Sequence, residues 1–188
     1  LNKALKLFGY SISRYDHLVT YDGLPTVMKL EMLSKEQNLP TKLHDFINAL
    51  KQKFTMELVY ANCKPRFDHE YALSIIKAKG YIIGCASNSI RESINLMLTK
   101  SNLLVYMDTV LSAQDVEKPK PAPDIYTAII KNLGLRPEEC LIIEDNENGI
   151  KAAIKSGAHL MRVNEVNEVN YNNIMNNISK IEQDGEDL

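Results

Sequence analysis

Cysteines and long apolar runs are scarce in this sequence, and both scarcities exclude classes of protein. The three cysteines, Cys63, Cys85 and Cys140, form no CxxC pair and lack the spacing of a zinc site, which favours reduced thiols in a cytoplasmic protein. No apolar run approaches the ~18 residues of a membrane helix. Lys3 and Lys6 precede no apolar stretch typical of a signal peptide. We therefore predict a cytoplasmic protein with no membrane partner.

Net charge is also low. The formal net charge is −2 over 188 residues, so no basic surface suggests a nucleic-acid partner. The composition, 45% hydrophobic and 24% charged, is that of a globular protein. The length suits one domain of ordinary size or a core domain with a small insertion, and we expect a monomer or a weak dimer.

The first third of the chain contains helical patterns only. A short amphipathic segment, 2–8, ends at Gly9, and Thr26 is placed to cap a second helix through VMKLEMLSKEQ. A third segment, 42–61, repeats apolar residues at positions i, i+3, i+4 and i+7, as an amphipathic helix does. Because no strand pattern occurs here, we predict a helical unit over residues 1–62.

From about residue 68 onward, strand and helix patterns alternate. The strand patterns are almost continuously apolar, as in parallel sheets that helices cover on both faces. We therefore predict an α/β core over residues 63–188, built on a parallel sheet. The predicted strands are residues 81–87, 107–112, 140–145 and 158–163.

Four reactive side chains follow these strands at their carboxyl ends, where ligands bind in open α/β sheets. Ser87 ends the first strand and Lys120 lies in the loop after the second. Glu144 and Asp145 end the third strand, within LIIEDNENGI, so an apolar run leads directly to two adjacent carboxylates. We expect this hydroxyl, ammonium and pair of carboxylates at one edge of the sheet.

Ser87 and Lys120 suit a phosphate site, but each also has an ordinary structural explanation. The Ser87 hydroxyl and the N–H groups of the next helix can bind phosphate, whereas Ser89-x-x-Glu92 resembles a capping box in a plain strand-to-helix turn. Lys120 stands between two prolines that stiffen its loop and aim one positive charge at an anion. The alternative is an exposed, solvated loop lysine.

Glu144 and Asp145 are candidate ligands of Mg²⁺, a hard cation that one or two carboxylates hold together with waters and phosphate oxygens. The structural alternative is that Asp145 or Asn146 caps the following helix while Glu144 faces solvent. Both interpretations stay open at the level of the individual residues.

The order of these residues resembles a known enzyme family. Ser87, then KPAPDIY (residues 120–126), then EDNENGIKAAIKSGA (residues 144–158) resemble the second, third and fourth motifs of the haloacid dehalogenase superfamily. The nearest resemblance is to its β-phosphoglucomutase-like branch, which contains many sugar-phosphate phosphatases. The resemblance covers most of the chain and implies a Rossmann-like parallel sheet with a helical cap, which residues 1–62 resemble.

The resemblance implies a role for each residue at the predicted edge. Ser87 and Asn88 would bind the transferring phosphoryl group, and Lys120 would neutralise it and hold the nucleophile. Glu144 and Asp145 would hold Mg²⁺, directly or through water. A cofactor, Mg²⁺, and a small phosphorylated substrate are therefore expected.

A substrate loop is implied in the helical unit as well. DGLPT (residues 22–26) resembles the loop that the family's cap lowers over its active site, with Gly23, Thr26 and Lys29 as candidate substrate contacts. Lys29, Lys51 and Lys53 are candidates for binding a distal anionic group of the substrate. The alternative is that these lysines are solvated.

One motif of the family is missing from the sequence. The first motif, DxDGT or a near variant, supplies the nucleophilic Asp and the acid/base Asp at the end of the family's first strand, and this sequence has neither. That strand lies in the middle of the sheet, where its loss would cost ~1–3 kcal/mol for each unpaired buried backbone group. We expect roughly 15 to 25 residues before Leu1, including an apolar strand of ~5–6 residues that ends in Asp-x-Asp.

These features predict a Mg²⁺-dependent phosphatase of a small phosphorylated metabolite, with a sugar phosphate preferred, acting through an aspartyl-phosphate. A phosphomutase, or an inactive phosphate-binding relative without the nucleophile, remains the alternative. A true haloacid dehalogenase is disfavoured because that chemistry needs no metal, which would leave Glu144 and Asp145 without a role. A signalling receiver domain is disfavoured because its acid pair comes before its lysine.

Overall fold

The two kinds of sequence pattern fold into two units, Leu1–Cys63 and the part that begins at Lys64. The computed structural model describes residues 1–186, so the last two residues of the predicted core, 187 and 188, lie outside the described residues. None of the helices within this described part combines the length and the apolar character that crossing a membrane requires.

The first unit is helical, and residues 1–63 contain no strand. The three predicted helices are confirmed, and a short additional helix follows the first. Buried side chains from these helices and their connections, mostly leucine and isoleucine, form its core. The helices are α1 (Asn2–Lys6), α2 (Arg14–Asp16), α3 (Thr26–Gln37) and α4 (His44–Asn62). The most buried of the large core side chains are Leu5, Leu30, Leu33, Leu39 and Ile47.

Thr26 begins α3 and does not cap it, so the predicted cap is wrong. Pro25 occupies the N-cap position with an extended backbone, and no side chain there accepts a hydrogen bond from the first turn. The reason is that the chain enters the helix one residue earlier than the pattern suggested, with Thr26 already helical. At the other end, Asn38 takes a left-handed conformation and its N–H donates to Leu33 O, a common way to end a helix.

The second unit alternates helices and short parallel strands, which confirms the predicted α/β fold class. Each strand is shorter than its apolar pattern. The strands are β1 (Gly84–Ala86), β2 (Thr109–Leu111), β3 (Leu141–Glu144) and β4 (His159–Arg162). The helices are α5 (Phe67–Ala78), α6 (Arg91–Lys100), α7 (Asp124–Asn132), α8 (Glu147–Ser156) and α9 (Tyr171–Glu186).

The strands form two separate parallel pairs. In the first pair β1 lies beside β2, with Gly84 opposite Thr109. In the second pair β3 lies beside β4, with Leu141 opposite His159. Within the described residues, no ladder joins one pair to the other.

Helices cover both faces of these pairs. Ile142 of β3 belongs to an apolar cluster with side chains of α7 and α8, whereas Leu141 and Ile143 pack against a second cluster that contains side chains of α5 and α9. Because neighbouring residues of a strand point to opposite faces, both alternating sets must be apolar. This explains why the pattern that precedes Glu144 is continuously hydrophobic.

Candidate active site

Lys120 lies at the centre of the residues predicted to form the site. It is buried, with 7% of the residue exposed. Its Nζ donates to Ala86 O at the end of β1 (3.1 Å) and to the Tyr126 hydroxyl (2.8 Å). It also forms an ion pair with Glu144 at the end of β3. One ammonium group therefore joins the carboxyl ends of two strands from different pairs.

The alternative interpretation of Lys120 as an exposed, solvated lysine is wrong. The physical reason is a clamp between its backbone and the turn after β1. Lys120 N–H donates to Asn88 Oδ1 (3.0 Å), and Asn88 Nδ2 donates to Lys120 O (3.1 Å). This pair of hydrogen bonds holds the loop against the edge of the sheet, so the side chain points inward.

Glu144 is buried beside Lys120 and does not face solvent, as one interpretation of the sequence supposed. Its Oε1 accepts hydrogen bonds from Lys120 and from the Tyr126 hydroxyl. Its carboxylate also lies against the backbone of Gly149 in α8, where an added Cβ would overlap it. The glycine of the ENGI sequence is thus required by the close approach of this carboxylate.

Tyr126 is the site residue that sequence reasoning missed. The motif KPAPDIY included it, but an aromatic residue on an apolar helix face carried no signal of a polar role. Burial, reinforced by the nearby Glu144 carboxylate, raises the pKa of Tyr126 far above its usual range. The hydroxyl therefore stays protonated and remains a hydrogen-bond donor to Glu144.

We expect Tyr126→Phe to lower the free energy of unfolding by about 1 kcal/mol, because one buried hydroxyl and its hydrogen bonds are lost while the ring remains. Urea denaturation would measure the change. Tyr106→Phe is the matched control in the same unit, since the Tyr106 hydroxyl makes no hydrogen bond with the described residues. Equal stabilities for the two variants would contradict a structural role of the Tyr126 hydroxyl.

Asp145 differs from its neighbour because it is exposed. Asn146 is the residue that caps α8, since its Oδ1 accepts from Asn148 N–H (2.9 Å). Of the two predicted caps, Asn146 is therefore confirmed. The Asp145 carboxylate makes no hydrogen bond or ion pair with the described part of the chain, so it can accept an external ligand.

Ser87 and Asn88 form the turn between β1 and α6. Ser87 N–H donates to Leu111 O of β2 (3.0 Å), which continues the strand ladder. Its hydroxyl oxygen accepts from Ser89 N–H (3.2 Å), and its hydroxyl hydrogen can still donate to a ligand. The geometry places this hydroxyl on the turn that Asn88 ties to Lys120.

The predicted Ser89-x-x-Glu92 capping box is wrong. Helix α6 begins at Arg91, and its N-cap, Ile90, has no side chain that could accept a hydrogen bond. The reason is that the Ser87 hydroxyl takes the Ser89 N–H, which tightens the turn and delays the start of the helix.

The two carboxylates at the carboxyl ends of the strands have the right chemistry for Mg²⁺, but they are few. Within residues 1–186 no group of three or more His, Cys, Asp or Glu side chains is placed to hold a metal ion. Glu144 and Asp145 supply oxygen ligands only, as Mg²⁺ prefers, and this ion commonly takes its remaining ligands from water and phosphate. Asp145 is the readily available ligand, and one Glu144 oxygen is shared with Lys120 and Tyr126.

The predicted residues of the substrate loop all lie in the helical unit. Gly23 has a positive φ of 69°, a conformation that favours glycine. Lys29 and Lys51 are half-buried, and burial is the main reason why the pKa of each is lowered. Lys53 is exposed. Substrate binding by these residues stays a prediction.

Known proteins resemble this chain over most of its length. The sequence pattern described as haloacid dehalogenase-like hydrolase matches residues 1–163. A phosphorylated carbohydrates phosphatase of Thermotoga maritima is 27% identical over 137 residues, 72% of this chain and 60% of that protein. A phosphoglycolate phosphatase of Aquifex aeolicus is 27% identical over 157 residues, 84% of this chain and 71% of that protein.

Solved structures show the same fold. The crystal structure of a β-phosphoglucomutase from Clostridium difficile superposes with a TM-score of 0.80 at 19% identity, covering 95% of this chain and 87% of that one. At this identity the match shows the fold alone. Among the sequence relatives, this chain spans less than two thirds of the length of several, as the 60% coverage of the Thermotoga phosphatase illustrates.

Proposed function

Because the chain belongs to the family of haloacid dehalogenase-like hydrolases, we propose that it removes the phosphoryl group from a small phosphorylated metabolite with the help of Mg²⁺. The relatives named for phosphorylated carbohydrates and phosphoglycolate support a small, anionic substrate of this class. Within it, a sugar phosphate is the preferred candidate.

The observation that carries this proposal is the buried ammonium of Lys120 at the carboxyl ends of β1 and β3. A positive charge held away from bulk water stabilises the charge on a transferring phosphoryl group more strongly than a solvated one. The Ser87 hydroxyl, on the turn clamped to the Lys120 loop, adds a hydrogen-bond donor for a phosphoryl oxygen. Positioning and charge are the main requirements of phosphoryl transfer.

Asp145 would hold Mg²⁺, with Glu144 as a direct or water-mediated second ligand. When bound, Mg²⁺ would supply positive charge to the phosphoryl oxygens. The chain's own residues then have separate tasks: Lys120 binds the phosphoryl group, Glu144 and Tyr126 orient Lys120, and Ser87 donates to an oxygen.

The proposed reaction passes through an aspartyl-phosphate. An oxygen of the aspartate expected in the first motif forms a bond to phosphorus, the bond from phosphorus to the substrate oxygen breaks, and the leaving alcohol takes a proton from water. Water then hydrolyses the acyl phosphate, which releases phosphate and regenerates the carboxylate. Neither carboxylate of this edge is proposed as the nucleophile, because Glu144 is held by Lys120 and Tyr126 and Asp145 is assigned to the metal.

The metal assignment can be tested by hydrolysis of p-nitrophenyl phosphate. In a protein that also carries the nucleophilic aspartate, we expect turnover in Mg²⁺ to stop in EDTA, and Asp145→Asn to lower it by roughly a hundredfold or more at fixed Mg²⁺. Glu147→Gln is the matched control, since Glu147 lies two residues away and pairs with Arg162 on the surface. Full turnover in EDTA, or an equal effect of both variants, would refute the metal assignment.

A further inference from the structure

A groove lies at the outer edge of β4, on the side away from β3. Its volume is about 400 Å³. One wall is the strand itself, through Leu160, Met161 and Arg162, and the other wall is formed mainly by α9. We refer to this cavity as the edge groove. Its remaining lining residues are Glu168, Asn173, Asn176, Asn177 and Lys180.

The backbone of β4 is paired on one side only. Val163 N–H, directly after the strand, donates to Glu144 O of β3 (3.0 Å). Because successive residues of a strand direct their backbone groups to opposite sides, those of Leu160 and Arg162 face away from β3. Within residues 1–186 these groups have no hydrogen-bond partner, and no strand pairs with this side of β4. Both residues line the edge groove.

Helix α9 borders this edge without covering it. Its apolar residue Ile174 is buried in a cluster with Met161 of β4, on one face of the sheet. The connection between β4 and α9, residues 163–170, contains one short 3₁₀ turn and no strand. The described part of the chain therefore supplies no strand of its own for the outer edge of β4.

Asparagines form the wall of the edge groove opposite β4. Asn173, Asn176 and Asn177 have the spacing that places them on one side of α9, although asparagine is a poor helix former. Asn173 Nδ2 donates to Glu168 O (3.0 Å), and Asn177 Nδ2 donates to Asn173 O (2.9 Å). These bonds orient two of the amides. Their oxygens have no partner in the described part of the chain and can accept hydrogen bonds.

The charges of the edge groove favour an acidic occupant. Lys180 is exposed and forms no ion pair with the described residues. Arg162 pairs with Glu147, but both side chains are more than half exposed, so this ion pair contributes little and another carboxylate can replace it. The acidic residue Glu168 already accepts from Asn164 N–H (2.7 Å). Two positive charges are therefore available to a ligand.

We propose that the edge groove binds one extended, acidic segment of a partner protein, about four or five residues long. The segment adds to the sheet beside β4, and its backbone forms hydrogen bonds with Leu160 and Arg162. The N–H groups on its other side donate to the asparagine oxygens of α9. Its acidic side chains lie near Lys180 and Arg162. This site is separate from the residues of the proposed function.

A small molecule and a second copy of the chain are the competing occupants. Pockets for small organic molecules are lined mainly by apolar side chains, whereas amides and charged groups predominate here. A second copy would pair its own β4 with this edge and produce a dimer. Only a separate extended segment uses the open backbone groups of β4 while the protein stays monomeric.

The test uses the ¹⁵N-labelled protein and the peptide Thr-Glu-Val-Glu-Thr, acetylated and amidated at its ends. With the peptide at ten times its measured Kd, we expect amide hydrogen exchange at Leu160 and Arg162 to slow by about tenfold. The amide of Thr26 is the control, since it also lacks a hydrogen bond with the described residues and lies in the helical unit. Its rate should stay the same. Nuclear magnetic resonance resolves these amides individually.

Matched peptides test the backbone and the charge separately. N-methylation of alternate residues removes the N–H groups on one side of the segment and should weaken binding by about tenfold or more. The peptide Thr-Lys-Val-Lys-Thr should bind about tenfold more weakly or worse, because its charges are repelled. Equal binding by either of these peptides, or no binding by the first peptide, would overturn the proposal.

Variants of the protein test the location. Leu160→Pro removes an N–H of the outer edge, where proline is tolerated, and should abolish binding. Lys180→Glu leaves the strand unchanged and should weaken binding by about fivefold. Lys155→Glu is the control, because Lys155 is exposed on α8 and does not line the edge groove. If Lys180→Glu and Lys155→Glu bind the peptide equally well, the peptide lies elsewhere and the proposal is wrong.

Two further measurements address the competing occupants. N-acetylglutamate, a small acidic molecule, should leave the exchange rates of Leu160 and Arg162 unchanged, and protection equal to that by the peptide would overturn the proposal. Sedimentation of the protein alone should show a monomer across a wide range of concentrations. A dimer that Leu160→Pro abolishes would assign this edge to a second copy and would also overturn it.

Discussion

Lys120→Met should destabilise the protein by about 3–5 kcal/mol, because it leaves the buried Glu144 carboxylate without its opposite charge. Both partners are largely buried, with side-chain exposures of 9% and 10%, so solvent cannot replace the lost interaction. In a protein that also carries the nucleophilic aspartate, turnover should fall by orders of magnitude as well, because the positive charge for the phosphoryl group is gone. Urea denaturation and p-nitrophenyl phosphate hydrolysis measure the two effects.

The matched control for this variant is Lys118→Met, in the same loop. Lys118 is exposed, and its replacement should change the free energy of unfolding by no more than about 0.5 kcal/mol. The double variant Lys120→Met with Glu144→Gln removes both charges and should recover most of the stability without recovering turnover. A Lys120→Met protein as stable as the Lys118→Met protein would show that Lys120 is solvated after all.

Gly149→Ala should destabilise the protein by about 1–3 kcal/mol, because the new Cβ overlaps the fixed carboxylate of Glu144. The loss of stability makes this prediction specific, since a glycine-to-alanine change inside a helix ordinarily stabilises a protein by about 0.5–1 kcal/mol. Glu144 cannot move aside easily, because Lys120 and Tyr126 both hold it. Urea denaturation of the two proteins gives the difference directly.

The same substitution in a second protein variant shows whether the Glu144 carboxylate causes the loss of stability. In a protein that carries Lys120→Met and Glu144→Ala, neither the carboxylate nor its counter-charge remains. There Gly149→Ala should be neutral or stabilising, as helix propensity alone dictates. A loss of stability of the same size in both backgrounds would mean that Gly149 is required for another reason.

The alternating pattern of the second unit was predictable because it depends on local sequence. Each continuously apolar run became a strand, and its burial on both faces by helices explains why the run had no polar face. The strand ends were less predictable. Backbone ladders stop where the chain turns, and that depends on contacts such as the Ser87 hydroxyl with Ser89 N–H.

The side chains of the site were only partly predictable. Spacing and order predicted Ser87, Lys120, Glu144 and Asp145 as candidates, but the burial of Lys120 depends on hydrogen bonds with Asn88, 32 residues earlier in the chain. No local pattern reports a contact over that distance. The role of the Tyr126 hydroxyl was missed because an aromatic residue on an apolar helix face gives no sign of its polar partners, Lys120 and Glu144.

In the helical unit, the core was easier to predict from the sequence than the ends of the helices. Its core follows from the spacing of apolar residues, and the predicted helices are confirmed. The start of α3 was not predictable to the residue, because Pro25 and Thr26 are both acceptable near a helix start and backbone geometry decides between them. Substrate contacts by Lys29 and Lys51 depend on a ligand and stay a prediction.

The division of the sheet into two pairs bears on cooperativity. In the described residues, β1–β2 and β3–β4 share no backbone ladder and are joined through side chains, chiefly those of α7 and the ammonium of Lys120. Elements joined in this way can open independently, as separate cooperative folding units. Amide exchange in the 188-residue chain should therefore show distinct opening free energies for the two pairs.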